Sequence, residues 1–148
     1  MCSSDLGLER WLGGLSTDGL AMPPMGVVLI DLDGFKHIND MLGHLAGDHL
    51  LQGIAATLLS STRSGDIAAR WGGDEFIVLC PHTADGELQA IAQRFLDAIA
   101  AVDVDGAHVT ASAGIQTCTQ RPLPLGQVDK ALYTAKRAGG ALPVMAAS

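Results

Sequence analysis

The sequence predicts an α/β fold, an α+β sandwich of ferredoxin-like character in which helices pack on one central sheet. Three observations carry this prediction: a nearly continuous apolar run, apolar stripes with helical spacing, and a pair of strands linked by glycines. In chain order these elements are strand, helix, two strands, helix, strand and helix. At 148 residues, with 48% hydrophobic and 17% charged residues, the chain is expected to form one globular domain over residues 1–148.

The first half of the chain holds one strand, one helix and the paired strands. Residues 25–32, MGVVLIDL, predict a central strand, because a continuous apolar run is typical of burial on both faces. From Asp48 onward the apolar residues repeat with helical spacing, at Leu50, Leu51, Ile54, Ala55, Leu58 and Leu59. The segments 66–71 and 75–80 then predict two strands, joined at Gly72-Gly73 by a tight hairpin that needs positive φ.

The second half continues the same alternation. A second helical stripe comprises Leu88, Ile91, Ala92, Phe95, Leu96 and Ile99. A strand is predicted over 107–118, and a last helix over 126–138 that ends at Gly139-Gly140. The loop TQRPLPLG and the tail ALPVMAAS are interpreted as surface connections.

Charge and composition exclude several classes of protein. The net charge of −7 argues against a sequence-independent nucleic-acid surface, which needs clustered Lys and Arg. A nucleotide substrate stays open, since a metal ion can offset the repulsion between phosphates and carboxylates. No apolar run approaches the roughly 20 residues of a membrane helix, and the N-terminus lacks the pattern of a secretion signal. Cys2, Cys80 and Cys118 are scattered and lack metal-ligand spacing; Cys80 and Cys118 lie in apolar segments and fit small buried thiols, and a reducing, cytoplasmic setting is expected.

Carboxylates are concentrated at two places where predicted strands end. Asp74 and Glu75 lie in the hairpin, where acids alone are most often merely solvated. Asp31 and Asp33, however, close the buried first strand, and strand ends of this kind commonly hold ligands. If the hairpin strand lies beside the first strand, Asp31 and Asp74 can face each other. Hard oxygen ligands gathered in this way suit Mg²⁺ together with substrate phosphates.

The segment GFKHIND adds groups that can bind a nucleotide. Backbone amides of Gly34, Phe35 and Lys36, near a helix start, can cradle phosphate, although Lys36 alone would be interpreted as a surface lysine. Asn39 and Asp48 together match the donors and acceptors of a guanine edge. Asp48 can equally serve as the N-cap of the helix that follows.

These motifs together resemble the GGDEF domain of the diguanylate cyclase family. The segments DLDGFKHINDMLGHLAGD, RWGGDEF and ALYTAKRAGG carry the resemblance, which covers about residues 25–139. The resemblance implies a nucleotidyl-cyclase-like, mostly antiparallel sheet flanked by helices. It also implies an enzyme that joins two GTP molecules into cyclic di-GMP and releases pyrophosphate, with one GTP held by each subunit of a homodimer.

The resemblance also assigns roles to residues. Asp31, Asp74 and the carbonyl of Leu32 would bind Mg²⁺ (or Mn²⁺), and Asp33 matches a further acid of the motif. Glu75 would lie beside the reacting ribose or bind a second metal. Either Asp74 or Glu75 would accept the proton of the attacking hydroxyl, and the sequence does not separate base from ligand.

The substrate-binding roles follow from the same motifs. Phe35 and Lys36 would hold phosphates, and Asn39 and Asp48 would read guanine. Lys136 would contact the terminal phosphates, although a cation that stabilises a helix C-terminus is an equally good interpretation.

A second ligand site is implied upstream of the hairpin. Residues 63–66, RSGD, have the RxxD pattern through which the family binds cyclic di-GMP as an inhibitor. Arg63 suits bidentate contacts with phosphate or guanine, with Asp66 as its motif partner. Arg94 is a further candidate, although a solvated arginine on the helix face is the favoured interpretation. A surface salt bridge is the alternative for this short pattern, and the position of the pattern before the glycines favours the inhibitory site.

The sequence departs from the family at both ends. Residues 1–24 are short and lack the usual DxLTGLxNRR motif, and Gly140 occupies the place of an arginine that contacts phosphates. Loss of that contact is expected to cost roughly 1.5–3 kcal/mol of binding energy, with Arg137 as a neighbouring substitute. The favoured hypothesis is an active or weakly active cyclase. The alternative is an impaired module that acts as a receptor for cyclic di-GMP or GTP; a purely structural role is disfavoured.

Overall fold

The computed structural model describes residues 21–120 and 123–147. The sandwich is confirmed: one five-stranded sheet is flanked by four helices within these residues. The elements are β1 (Ala21–Leu32), α1 (Phe35–Leu42), α2 (His44–Ser61), β2 (Ile67–Gly72), β3 (Glu75–Pro81), α3 (Asp85–Ala100), β4 (Ala111–Gln120), α4 (Leu125–Arg137) and β5 (Pro143–Met145).

The strands are arranged in the order β2-β3-β1-β4-β5. All neighbours are antiparallel except β4 and β5, which run parallel. Asp31, near the end of β1, lies opposite Glu75 on one side and Ser112 on the other. The central strand therefore delivers its acidic end between the beginnings of β3 and β4.

Both faces of β1 are buried, as its continuous apolar sequence predicts. Val28 and Ile30 pack into the cluster formed with α2 and α3, whereas Val27 and Leu29 pack against α4. Successive side chains of a strand alternate between faces, so a strand covered on both sides must be apolar at every position. The prediction for residues 25–32 is confirmed, and the strand begins earlier, at Ala21.

Two elements were not anticipated as separate structures. Helix α1, whose start near Gly34 was expected, is a separate helix of eight residues that buries only Phe35 and ends at Leu42, before Gly43. Strand β5 is three residues long and lies in the tail that was interpreted as a surface connection, so that interpretation was wrong for residues 143–145. Strand β4 begins at Ala111, later than the predicted residue 107.

Two local predictions also need correction. Asp48 is not an N-cap, because α2 begins at His44 and Gly43 precedes it. The hairpin between β2 and β3 is confirmed, but neither Gly72 nor Gly73 has positive φ. The end of the last helix is as predicted, since Gly139 and Gly140 have φ of 108° and 79°.

Other expectations concern the remainder of the chain. Cys80 is buried, and burial raises the pKa of its thiol to about 12, while Cys118 is half-buried. Cys2 and the atypical N-terminal segment up to residue 20 lie outside the described residues. Within residues 21–120 and 123–147, none of the helices has both the length and the apolar character needed to cross a membrane.

Candidate active site

Acidic side chains gather where β1 ends and β3 begins. The backbone N–H of Leu32 donates to the carbonyl oxygen of Asp74 at 3.2 Å, which fixes the hairpin tip against the end of β1. Asp31 is paired in register with Glu75. The predicted neighbourhood of the first strand and the hairpin strand is therefore confirmed, and Asp31, Asp74 and Glu75 share one corner of the sheet.

The negative charges in this corner repel one another. Burial raises the pKa of Asp31; the Lys136 ammonium opposes this shift, and the charge of Asp74 adds to it. The pKa of Glu75 is likewise raised, by burial first and then by the charges of Asp31 and Asp74. Both carboxyls thus hold protons more tightly than usual, because burial disfavours their charged forms and the neighbouring negative charges add to that effect.

The donor set fits a divalent cation such as Mg²⁺ or Mn²⁺. Carboxylates of Asp31 and Asp74 and the carbonyl of Leu32 are hard oxygen ligands, and a cation would relieve their mutual repulsion. In the part of the chain that the structure describes, no three acidic, His or Cys side chains converge as a complete metal cage. A cation here would therefore complete its coordination with water or with phosphates of a bound nucleotide.

Lys136 directs its ammonium into this acidic corner. Its Nζ donates to the carbonyl oxygen of Leu32 at 2.9 Å and to Oδ1 of Asp33 at 2.9 Å, and lies 3.5 Å from Oδ1 of Asp31. Although Lys136 lies in the last turn of α4, these partners belong to the end of β1 and the residue after it. The structure therefore places Lys136 with the candidate site residues.

Asp33 links four parts of the chain. Its carboxylate accepts hydrogen bonds from Thr110 Oγ1 at 2.8 Å, Ser112 Oγ at 2.7 Å, Lys136 Nζ at 2.9 Å and the backbone N–H of Ala141 at 3.0 Å. Burial alone would raise its pKa, but the bonds from Lys136, Ser112 and Thr110 outweigh burial and hold the pKa of Asp33 below its ordinary value. Asp33 therefore organises the site as a charged hydrogen-bond acceptor.

Sequence reasoning missed the two hydroxyl residues in this network. Thr110 and Ser112 lie two positions apart in HVTASAG, so they can point to the same side of an extended chain. That spacing was the available signal. Their partner Asp33 is distant in sequence, and only the pairing of β1 with β4 brings the three together.

Beside the acidic corner lies a cavity of about 340 Å³. Its lining includes most of the residues predicted to bind substrate and one of the acids: Phe35, Lys36, Asn39, Asp48, Leu51, Arg70, Gly73 and Asp74. A second cavity of about 400 Å³ adjoins it and shares Asp48, Leu51 and Arg70. Helices α1 and α2 thus bring the candidate phosphate and guanine residues next to Asp74.

Asn39 owes its place to a glycine in the next helix. A Cβ at Gly47 would overlap the side-chain oxygen of Asn39, so only glycine leaves room for that amide. Gly47 immediately precedes Asp48 in the motif GHLAGD. The motif therefore serves both candidate guanine readers: Gly47 leaves room for the Asn39 amide, and Asp48 is itself the second reader.

Arg70 is a cavity residue to which sequence reasoning assigned no role. Its Nε donates to the carbonyl oxygen of Gly73 at 3.0 Å, and its Nη2 contacts the same oxygen. Arg70 therefore braces the hairpin tip that carries Asp74. Its place directly before Trp71 and the two glycines was the only signal in the sequence.

The Arg63–Asp66 pair lies in a different place, between α2 and β2. Arg63 Nη2 is 3.3 Å from Asp66 Oδ1, and the backbone N–H of Arg63 donates to Asp66 Oδ2 at 2.8 Å. The same Nη2 donates to Thr83 Oγ1 at 2.7 Å, and the pKa of Arg63 is raised, chiefly by its hydrogen bond to Asp66. The salt bridge that was the alternative for this pattern is present, the favoured inhibitory role stays a prediction, and Arg94 lies exposed on α3.

Comparison with known proteins identifies the family. A family model described as "Diguanylate cyclase, GGDEF domain" matches residues 17–141. The chain is 38% identical over 123 residues to diguanylate cyclase DgcM of Escherichia coli (strain K12). The aligned region covers 76% of this chain and 28% of that protein. It is 35% identical over 140 residues to diguanylate cyclase A of Treponema denticola, covering 89% and 38% of the two chains.

A solved structure shows the same fold. The crystal structure of diguanylate cyclase SiaD in complex with its activator SiaC, from Pseudomonas aeruginosa, superposes with a TM-score of 0.85 at 31% identity. The match covers 97% of this chain and 58% of that chain. The chain described here thus spans less than two fifths of the length of the two curated relatives above.

Proposed function

Because this chain belongs to the GGDEF domain family of diguanylate cyclases, we propose that it condenses two GTP molecules into cyclic di-GMP and pyrophosphate. Residues 1–148 would form a single GGDEF domain that acts as a homodimer with Mg²⁺ or Mn²⁺. The observation that carries the proposal is the shared corner of Asp31, Asp74 and Glu75, beside a cavity of about 340 Å³.

The cavity offers complementary groups for GTP. Asn39 and Asp48 can donate to and accept from a guanine edge, and both line the cavity. Phe35 begins α1, so its backbone amide and that of Lys36 are free helix N-terminal donors for phosphate. Lys136 adds a cation at the acidic end. GTP would thus bind in one orientation, with its base at Asn39 and Asp48 and its triphosphate toward Asp31 and Asp74.

The reaction needs one proton acceptor and stabilisation of negative charge. The 3′-hydroxyl oxygen of one GTP attacks the α-phosphorus of the other; a P–O bond forms, the bond between the α- and β-phosphates breaks, and pyrophosphate leaves with the bonding electrons. The reciprocal attack by the second 3′-hydroxyl closes the ring and releases a second pyrophosphate. A divalent cation, when bound, neutralises charge that develops on the phosphates. Asp74 or Glu75 would accept the hydroxyl proton, and the raised pKa of Glu75 makes it a stronger base than an ordinary glutamate. The second half-site comes from a second copy of the chain.

Turnover tests the proposal directly. Protein stripped of bound nucleotide would be incubated with GTP and Mg²⁺ or Mn²⁺, and products separated by chromatography. Cyclic di-GMP and pyrophosphate should appear, and specific activity should rise with protein concentration because two subunits meet. Absence of product over a wide range of protein concentrations would reject the cyclase proposal for this chain.

A receptor for cyclic di-GMP is the second candidate. The assembled Arg63–Asp66 pair favours it, since 39% of the arginine side chain is exposed and able to contact a ligand. Titration calorimetry with cyclic di-GMP should then show binding that Arg63→Ala abolishes, and Arg63→Lys should also weaken it because lysine lacks the planar fork. Equal binding by all three proteins would exclude this site.

A further inference from the structure

We propose that the Lys136 ammonium is a resident counter-ion of the acidic site, which must leave the Leu32 and Asp31 oxygens before a divalent cation binds them. Lys136 would thus control metal loading as well as contact phosphate. The inference rests on the proposed function only in placing the cation at Asp31 and Leu32.

Geometry provides the first argument. The ammonium lies 2.9 Å from the carbonyl oxygen of Leu32 and 3.5 Å from Oδ1 of Asp31, the same oxygens that suit the cation. A Mg²⁺ ion binds oxygen at about 2.1 Å, so it would lie at most about 5 Å from an ammonium that stayed in place. Two cations at that separation repel each other strongly in a half-buried site.

The attachment of the ammonium provides the second argument. Asp33 holds Nζ at 2.9 Å and is itself fixed by Thr110, Ser112 and Ala141. Only 29% of the Lys136 side chain is exposed. The ammonium is therefore a built part of the site, in contrast to a lysine that samples solvent. Its flexible four-carbon stem still permits a shift of the charge while α4 stays in place.

The third argument is the consequence for the order of binding. Without nucleotide, a metal ion must displace the ammonium from the Leu32 and Asp31 oxygens, and the ammonium gains no phosphate partner in their place. With nucleotide, a phosphate offers the ammonium a new partner at the moment it leaves Leu32 and Asp31. Metal and nucleotide should therefore bind cooperatively, and the nucleotide-free protein should bind divalent cations weakly.

Metal binding without nucleotide tests this inference. Mn²⁺ would be titrated into wild type, Lys136→Met and Lys130→Met, with free Mn²⁺ followed by electron paramagnetic resonance. Lys136→Met keeps the apolar stem and removes the charge, whereas exposed Lys130 on the same helix supplies the matched control. Lys136→Met should bind Mn²⁺ at least about tenfold more tightly, and Lys130→Met should resemble wild type. A gain no larger than that of Lys130→Met would overturn the proposal.

A second measurement follows the Lys136 ammonium in the wild-type protein and uses a conservative variant only for assignment. The Lys136 ammonium resonance in ¹⁵N-labelled wild type should move when Mg²⁺ saturates the protein, and Lys136→Arg would assign it. An unchanged resonance at saturating Mg²⁺ would overturn the proposal. Neither experiment uses turnover, so a failure here is distinguishable from failure of the cyclase proposal.

Discussion

The carboxylate of Asp33 lies 2.9 Å from the position that a Cβ would occupy at Gly140. Gly140 has φ of 79°, and its N–H donates to the carbonyl oxygen of Ala135 at 3.0 Å. The carboxylate cannot move aside easily, because four donors hold it. In this chain, a side chain at the position where the family resemblance places an arginine would have to displace the Asp33 carboxylate.

Introducing that arginine should therefore harm the protein. Gly140→Arg is expected to lower the free energy of unfolding by about 1–2 kcal/mol for the left-handed backbone alone, with the Asp33 contact adding to this. GTP affinity should not rise. Urea unfolding and nucleotide titration would measure both effects, with Gly126→Arg as control because no atom lies within 4 Å of its Cβ position. A stable Gly140→Arg protein with tenfold tighter GTP binding would contradict this prediction.

A methyl group at Gly47 should disturb guanine recognition. Gly47→Ala would push the Asn39 amide from its place, so we expect at least a tenfold loss of GTP affinity, roughly the value of one lost hydrogen bond. Gly53→Ala is the matched control in the same helix, where the added Cβ meets only side-chain methyls at 3.1 and 3.3 Å. Similar GTP affinities for the two variants would show that Asn39 does not read the base.

Removing the charge of Asp74 at the hairpin tip should abolish activity without lowering the stability of the fold. Asp74→Asn is expected to abolish cyclic di-GMP formation while the thermal midpoint stays within a few degrees of wild type, because the side chain lies at a turn. Asp97→Asn on the exposed side of α3 should retain activity. Chromatography and circular dichroism would measure these properties, and full activity of Asp74→Asn would remove Asp74 from the site.

Two acids near the end of β1 should change stability in opposite directions. The pKa of Asp33 is lowered, so its ionised form stabilises the fold above its ordinary pKa of 3.8, and this contribution is lost as pH falls through the folded pKa. The pKa of Glu75 is raised from 4.5, so ionisation of Glu75 costs stability as pH rises through that value and the folded pKa.

At pH 7, Asp33→Asn should therefore lower the thermal midpoint and Glu75→Gln should raise it. The gain from Glu75→Gln should vanish when the protein is melted below pH 4.5, where wild-type Glu75 is protonated in both states. Thermal melts across pH would test the sign for each residue. A gain for Glu75→Gln that did not depend on pH would have a cause other than its charge.

The sequence was most informative where burial dictates every residue. The run that became β1 is apolar at each position because helices cover both faces, and Asp31 follows from where that run stops. The start of α2 was misplaced because its first buried position is Gly47, which has no side chain to register in an apolar stripe. Asp48 consequently resembled a cap.

Long-range contacts account for the other omissions. Asp33 meets Thr110, Ser112 and Ala141 only after the sheet forms, and no local pattern encodes those hydrogen bonds. The same holds for β5, whose three residues acquire strand geometry only by pairing with β4. Local periodicity predicts elements well, whereas contacts between distant segments require the assembled structure.

The central position of β1 has a consequence for local opening of the protein. Amide protons of residues 27–30 should be among the last to exchange with deuterated solvent, since strands on both sides and helices on both faces protect them. Asp31 directly follows these residues in β1, whereas the Gly73–Asp74 tip belongs to a turn. Local opening would release the Asp74 half of the acidic corner while leaving the Asp31 half in place. The Asp74 and Asp31 sides of the site would thus open at different rates.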